Sequence, residues 1–121
     1  IGISPIRALL ESTDIVPGLT TVILRASTNE QLYLVDEIDA LCKAKGARLL
    51  ALVGPRANDL HGDPTWLPEQ YRAMRIHDLA PGVAQSDLYI CGPQSVADLI
   101  IDDALAAGTP ASAIHNERFS W

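Results

Sequence analysis

Three groups of residues in this chain have the types and spacing for chemistry. In the first, the run Asp87-Leu-Tyr-Ile-Cys-Gly-Pro93 ends on a small thiol, a glycine and a helix-opening proline. A flat ring can lie against such a turn, because Gly92 leaves the backbone bare and Cys91 is small. Without Gly92-Pro93 after it, Cys91 would read as an inert buried cysteine. The second group is Arg25 and Arg56, each directly after an apolar, strand-like run. A planar guanidinium fork matches a pyrophosphate or a ribose 2′-phosphate, although a solvated arginine in a surface loop is the plain alternative. The third is the tail Glu117-Arg-Phe119, where a carboxylate suited to proton relay stands two residues from a ring able to stack. A last strand packing Phe119 into the core explains the same residues without chemistry.

Other residues carry weaker signals. Gly2, Ile3, Ser4 and Pro5 lead from a glycine-containing loop into a helix start, where free N–H groups attract phosphate oxygens. Common turn chemistry gives the same pattern. An acidic residue in place of Arg25 or Arg56 would suit a bare ribose diol, so the two arginines favour NADPH over NADH. His61, His77 and His115 are scattered without metal-ligand spacing, so no metal site is expected. Asp98, Asp102 and Asp103 are expected on the solvated face of a helix, Trp66 as a loop anchor, and Cys42 as a small buried hydrophobe.

The elements that must position these groups follow from pattern. A short helix is expected over 6–11, with Pro5 in its first turn. Leu19 to Leu24 reads as a β-branched strand after the Pro17-Gly18 turn. Thr28 and Gln31 have capping-box spacing before a helix over 32–45, which Gly46 stops. Arg48 to Val53 is nearly continuous apolar, as in a strand covered on both faces. Asn58 to Thr65 reads as a polar loop and Pro68 to Leu79 as weakly helical. A strand over 88–91, a helix over 93–107 ended by Gly108 and an extended segment over 114–119 complete the chain. Strands alternating with helices imply an α/β fold: an open, Rossmann-like parallel sheet flanked by helices on both faces. Ligands bind such sheets outside the carboxyl ends of the strands, and Arg25, Arg56 and Cys91-Gly92-Pro93 all fall there.

A chain of 121 residues is one domain, 1–121, with enough residues for one core. The net charge of −6 argues against a nucleic-acid partner, while leaving room for a local phosphate grip. Two cysteines without paired spacing suggest a reducing compartment. No apolar run approaches the roughly 20 residues needed to cross a bilayer, so no direct membrane insertion is expected of this segment. The chain has no initiator Met, and Ile1-Gly-Ile-Ser-Pro5 reads as the second half of a loop, so a truncated N-terminus is expected.

With these residues laid out, the chain resembles the NAD(P)-binding domain of the ferredoxin–NADP reductase superfamily, nearest its ferric reductase and NADPH oxidase branch. Gly2-Ile-Ser-Pro5 resembles the end of the family's phosphate loop. Arg25-Ala-Ser27, followed by Leu32-Tyr33 and Asp36-Glu37, is similar to its second-strand signature. Arg56 falls where NADPH-using members bind the 2′-phosphate, Cys91-Gly92-Pro93 matches the nicotinamide-side motif, and Glu117-Arg-Phe119 resembles the terminal E-x-aromatic. The resemblance implies a C-terminal NADP-linked domain whose first strand, and whose preceding FAD-binding domain, lie outside this chain. It implies NADPH and FAD as cofactors and Ser27 and Tyr33 among the binding residues. Phe119 or Trp121 would cover the flavin, with Cys91, Glu117 and Phe119 around the hydride path. Partners would be the FAD domain and a haem-bearing transmembrane domain of the same protein, placing this segment on the cytosolic face of a membrane; a soluble reductase component is the other arrangement. The final acceptor would be haem, ferric iron, an iron–sulfur centre or oxygen. Two rivals stand beside this reading. One is a nucleotide-sensing or interaction module without electron transfer; the other is a hydrolase or transferase using Cys91 with His115 as base.

Overall fold

A computed structural model of the chain describes residues 18–26, 35–91 and 94–116. The elements are β1 (Thr20–Ala26), α1 (Val35–Lys45), β2 (Arg48–Val53), β3 (Arg56–Asn58), β4 (Pro64–Pro68), α2 (Ile76–Leu79), β5 (Asp87–Cys91), α3 (Gln94–Ala106) and β6 (Ile114–Asn116). Single 3₁₀ turns at Glu69–Tyr71, Val83–Gln85 and Ala111–Ala113 link them. Four strands form a parallel sheet in the order β2-β1-β5-β6, and β3 and β4 form a separate antiparallel hairpin. The helix expected over 6–11 and the start of the one expected over 32–45 fall outside the described residues.

β1 is buried along all seven residues, Thr-Thr-Val-Ile-Leu-Arg-Ala. Its β-branched and aliphatic side chains suit a strand with neighbours on both edges and cover on both faces. Alternation then sorts the core into two layers. Val22, Leu24 and Tyr89 face α1, through Ile38 and Cys42. Ile23, Leu88 and Ile90 face the other way, toward Val96, Ala97, Ile100 and Ala104 of α3 and toward Trp66, Leu67 and Ile76. This two-sided cover follows from handedness. Right-handed crossovers that leave β1 and β5 in opposite directions place their helices on opposite faces.

Both long helices carry their own start and stop signals. α1 has Asp36 and Glu37 in its first turn and Lys43 and Lys45 in its last, as the helix dipole favours. It ends at Gly46, whose φ of +77° lets Ala47 N–H bond Cys42 C=O at 2.8 Å. Gly108 ends α3 in the same way, with Thr109 N–H on Ala104 C=O at 3.0 Å. The buried stripe of α3 is Val96, Ala97, Ile100, Asp103 and Ala104, at helical spacing. Burying Ile100 contributes about 1.5–3 kcal/mol.

Three expectations change. β2 is an edge strand, and of its apolar run only Leu52 is fully buried. The segment expected to be a loop over 58–65 contributes to the β3–β4 hairpin, with Pro64 and Pro68 at the ends of β4, where the lost N–H groups are tolerated. Asp98 and Asp102 are exposed as expected, but Asp103 is 9% exposed. Position 103 lies seven residues beyond Val96 and three beyond Ile100, which puts it on the apolar stripe. Its Oδ2 accepts the Trp66 Nε1–H and the Ile76 N–H, both at 2.9 Å. That pair of bonds makes Trp66 (2% exposed) the anchor of its loop.

Candidate functional site

The sheet order reverses between β1 and β5, because the chain runs outward from β1 to β2, then returns past β1 to build β5 and β6. A crevice outside the carboxyl ends is expected at such a reversal. Leu24 pairs with Cys91 in register, so Cys91 ends β5 one position short of Arg25 on the neighbouring strand. The structure therefore places the Cys91 backbone and Arg25 at one corner. Arg56 opens β3, two residues beyond Gly54 at the end of β2.

The two arginines do different things. Arg25 points to the α3 side of the sheet and is 7% exposed. Its Nη1 donates to Ala26 C=O at 3.0 Å and to Leu52 C=O at 2.8 Å, and its Nη2 donates to Gly54 C=O at 3.0 Å. Its Nε donates to Trp66 C=O. Four of the five guanidinium N–H groups thus serve backbone carbonyls from β1, from the end of β2 and from β4. No carboxylate is among these acceptors. Burial lowers the Arg25 pKa from its ordinary value, and the nearby charge of Arg56 adds to that. Arg25 was expected to grip a phosphate; the structure makes it an internal clamp instead. A buried guanidinium bonded this way fixes the Gly54-Pro55 turn from which Arg56 projects.

Arg56 is exposed, with no side-chain hydrogen bond or ion pair to other described residues. Its exposed side chain stands just past the end of β2. Together the pair forms a corner where one cation is held internally and one faces water, and among the described residues the acceptors of the first are all carbonyl oxygens. Such a corner suits an anionic ligand.

His115 is placed away from Cys91. It pairs in register with Tyr89 and stacks on that ring, with centroids 4.7 Å apart and planes inclined by 19°. Its Nε2 lies 3.4 Å from Asp87 Oδ1, at the opposite end of β5 from Cys91. Four residues of strand separate Asp87 from Cys91, roughly 13 Å. The imidazole is therefore directed toward the wrong end of the strand to serve as base for a Cys91 thiol. Cys42 is buried, and burial, with Asp39 adding, pushes its thiol up to about 11, so it is no nucleophile at neutral pH.

Gly2, Ile3, Ser4, Pro5, Ser27, Tyr33, Gly92, Pro93, Glu117, Phe119 and Trp121 lie outside the described residues. Among the described residues no group of three His, Cys, Asp or Glu side chains comes together to hold a metal, and no helix is long and apolar enough to cross a membrane. The carbonyls of Leu52, Gly54 and Trp66, which complete the Arg25 clamp, were not foreseeable from sequence, since a carbonyl carries no residue signature. Comparison with family models, with curated proteins and with solved structures finds no match.

Proposed function

We propose that this chain is the NADPH-binding domain of a flavoprotein reductase, which presents NADPH to an FAD held on a separate domain. The observation that carries the reading is the corner at the sheet reversal. There exposed Arg56 stands beside buried Arg25, next to the strand that ends in Cys91. An outward-facing guanidinium on a rigid turn fits a ribose 2′-phosphate, and the clamp supplies the rigidity. Bound NADPH would supply a hydride, and FAD would pass the electrons on to haem, ferric iron, an iron–sulfur centre or oxygen.

The chain's own residues bind and orient. Arg56 holds the 2′-phosphate. Arg25 keeps the Gly54-Pro55 turn in place and adds positive potential from within. Cys91 closes β5 at the place where the nicotinamide side of the ligand is expected, and the paired strands β1 and β5 form the floor. On this reading the domain works at the cytosolic face of a membrane reductase or in a soluble reductase component. The sensing-module alternative shares the binding site and differs only in lacking electron transfer. The Cys91–His115 alternative is disfavoured by the direction of the imidazole.

The test is calorimetric titration of the chain and of Arg56→Gln with NADPH and with NADH. A charge-assisted bond to phosphate contributes about 1.5–3 kcal/mol. Arg56→Gln should therefore weaken NADPH binding about 10- to 100-fold and leave NADH nearly unchanged. Equal losses for both nucleotides would remove Arg56 from this role. The chain alone should show no reductase turnover; robust NADPH oxidation without a flavin domain would sink the proposal. Electron transfer on adding a matching FAD domain separates reductase from sensor.

A further inference from the structure

Asp103 is a nearly buried carboxylate whose described hydrogen bonds reach neither arginine of the strand-end corner. It stands on the buried stripe of α3, among Val96, Ala97, Ile100 and Ala104. Taking a carboxylate out of water there is unfavourable unless donors meet it. Two donors do: Oδ2 accepts the Trp66 indole N–H from β4 and the Ile76 N–H that opens α2, each at 2.9 Å. One oxygen of α3 thereby ties down two segments that lie 37 and 27 residues away in sequence.

From Trp66 the bonds continue toward the corner. Trp66 gives its indole N–H to Asp103 of α3, and its carbonyl accepts the Arg25 Nε of β1. The same guanidinium holds Leu52 C=O at 2.8 Å and Gly54 C=O at 3.0 Å. Gly54 N–H in turn bonds Ala26 C=O at 2.9 Å. β4 also meets the turn directly, since a Cβ at Gly54 would stand 3.0 Å from the Cβ of Pro68. Arg56, two residues on, pairs in register with that same Pro68. The seat of β4 therefore sets where the backbone of Arg56 stands.

Directional bonds decide that seat, because apolar burial has no direction. Leu67 is fully buried and holds β4 against the core, but its burial alone does not choose a position along α3. A hydrogen bond does choose, since it weakens steeply as its angle departs from linear. The Asp103–Trp66 bond fixes β4 along α3, and the Trp66–Arg25 bond fixes it against β1. Between them the hairpin has one seat, and Arg56 one place at its start.

We propose that Asp103 is a positioning residue for Arg56: acting through Trp66, it sets where the exposed guanidinium stands, and so how well the site tells NADPH from NADH. The identity of the ligand rests on the nucleotide reading; the linkage rests on the hydrogen bonds alone. A guanidinium fork meets a phosphate well only in a narrow geometry. Displacing the Arg56 turn therefore weakens the 2′-phosphate contact and spares the contacts that both nucleotides share.

The test compares wild type, Asp103→Leu, Asp103→Asn and Trp66→Phe, all as the full chain. Asp103→Leu leaves both donors without an acceptor, whereas the amide oxygen of Asp103→Asn can still take them. Trp66→Phe removes the indole donor alone and serves if Asp103→Leu folds poorly. Two quantities are read: the ¹H–¹⁵N amide signals of Gly54 and Arg56 without ligand, and the ratio of the NADH to the NADPH dissociation constant by calorimetry. Unfolded chain lowers both affinities alike and leaves their ratio unchanged, so a merely structural role does not move it. Asp103→Leu and Trp66→Phe should shift both amides and cut the ratio about 3- to 10-fold, while Asp103→Asn should stay within about 2-fold of wild type. Unmoved amides in both broken variants overturn the linkage, whatever the nucleotides do. Shifted amides with an unchanged ratio overturn the role in discrimination where Arg56→Gln lowers that ratio, as does an Asp103→Asn no better than Asp103→Leu. If Arg56→Gln itself leaves the ratio untouched, the nucleotide reading fails and takes the discrimination role with it, while the amide signals still decide the linkage.

Discussion

Replacing Arg25 with methionine separates the clamp from any ligand-gripping role, and its effect can be worked from the hydrogen bonds. The substitution keeps most of the aliphatic stem and removes the guanidinium. The bonds to Ala26, Leu52 and Trp66 are buried, and the one to Gly54 is partly buried. Ala26 C=O keeps the N–H of Gly54 at 2.9 Å. The buried carbonyls of Leu52 and Trp66 lose this donor, and at about 1–3 kcal/mol each the two cost about 2–6 kcal/mol. Against this, the variant no longer holds a cation out of water, which offsets several kcal/mol. The net loss is about 1–3 kcal/mol, or roughly 5–10 °C in Tm for a chain of this size. Arg25→Lys keeps the charge but cannot reach four carbonyls from three elements, so it should fall between wild type and Arg25→Met. Urea denaturation followed by tryptophan fluorescence and by circular dichroism measures this, with the slope checked for two-state behaviour. High salt should change the loss little, since the group is shielded from solvent ions. An Arg25→Met chain within about 0.5 kcal/mol of wild type would refute the clamp. If that stable variant had also lost NADPH affinity, Arg25 would have to be reassigned to the ligand.

Arg56→Gln should be neutral or slightly stabilising, because it relieves the repulsion felt by Arg25, even as it weakens NADPH; a clear fall in the urea midpoint would contradict that sign. Trp66→Phe removes the donor to Asp103 and should cost about 1–3 kcal/mol in the same denaturation assay, whereas a loss below about 0.5 kcal/mol would mean the bond is dispensable. Two backbone N–H groups hold the Asp59 carboxyl below its ordinary value. Because the folded value is the lower one, its contribution to stability is complete above the unfolded value near 3.9 and lost as pH falls through the folded one. The amide signals of His61 and Asp63 should move together in that acid window, and Asp59→Asn should abolish the movement.

The central part of the sheet was legible because its signals are local. β1, β2 and β5 are apolar runs bounded by turn residues, and α1 and α3 end at glycines that must take positive φ. The hairpin was not, because Gly62 and two prolines over 62–68 read as a loop. Only pairing with Arg56–Asn58 turns those residues into a strand. The exposure of β2 is likewise a property of its place at the sheet edge, which the residues of β2 do not encode. Asp103 shows a different failure. Its spacing put it on the buried stripe, but its charge suggested the surface, and the donors that reconcile the two come from 27 and 37 residues away. The roles of Arg25 and Arg56 looked alike because each simply follows a strand. They diverge only when the β2 terminus and β4 carry their carbonyls to one of them.

The position of β1 inside the sheet has a consequence for synthesis. β1 is made before both strands it pairs with, and β5 begins about 60 residues after it ends. At about 5–20 residues per second the nascent chain exposes this seven-residue β-branched run for several seconds before its second edge can be covered. A short apolar strand without a charge would invite pairing between neighbouring chains during that interval. Arg25 is the only charged residue in β1. Before folding buries it, the same guanidinium acts as a gatekeeper against aggregation.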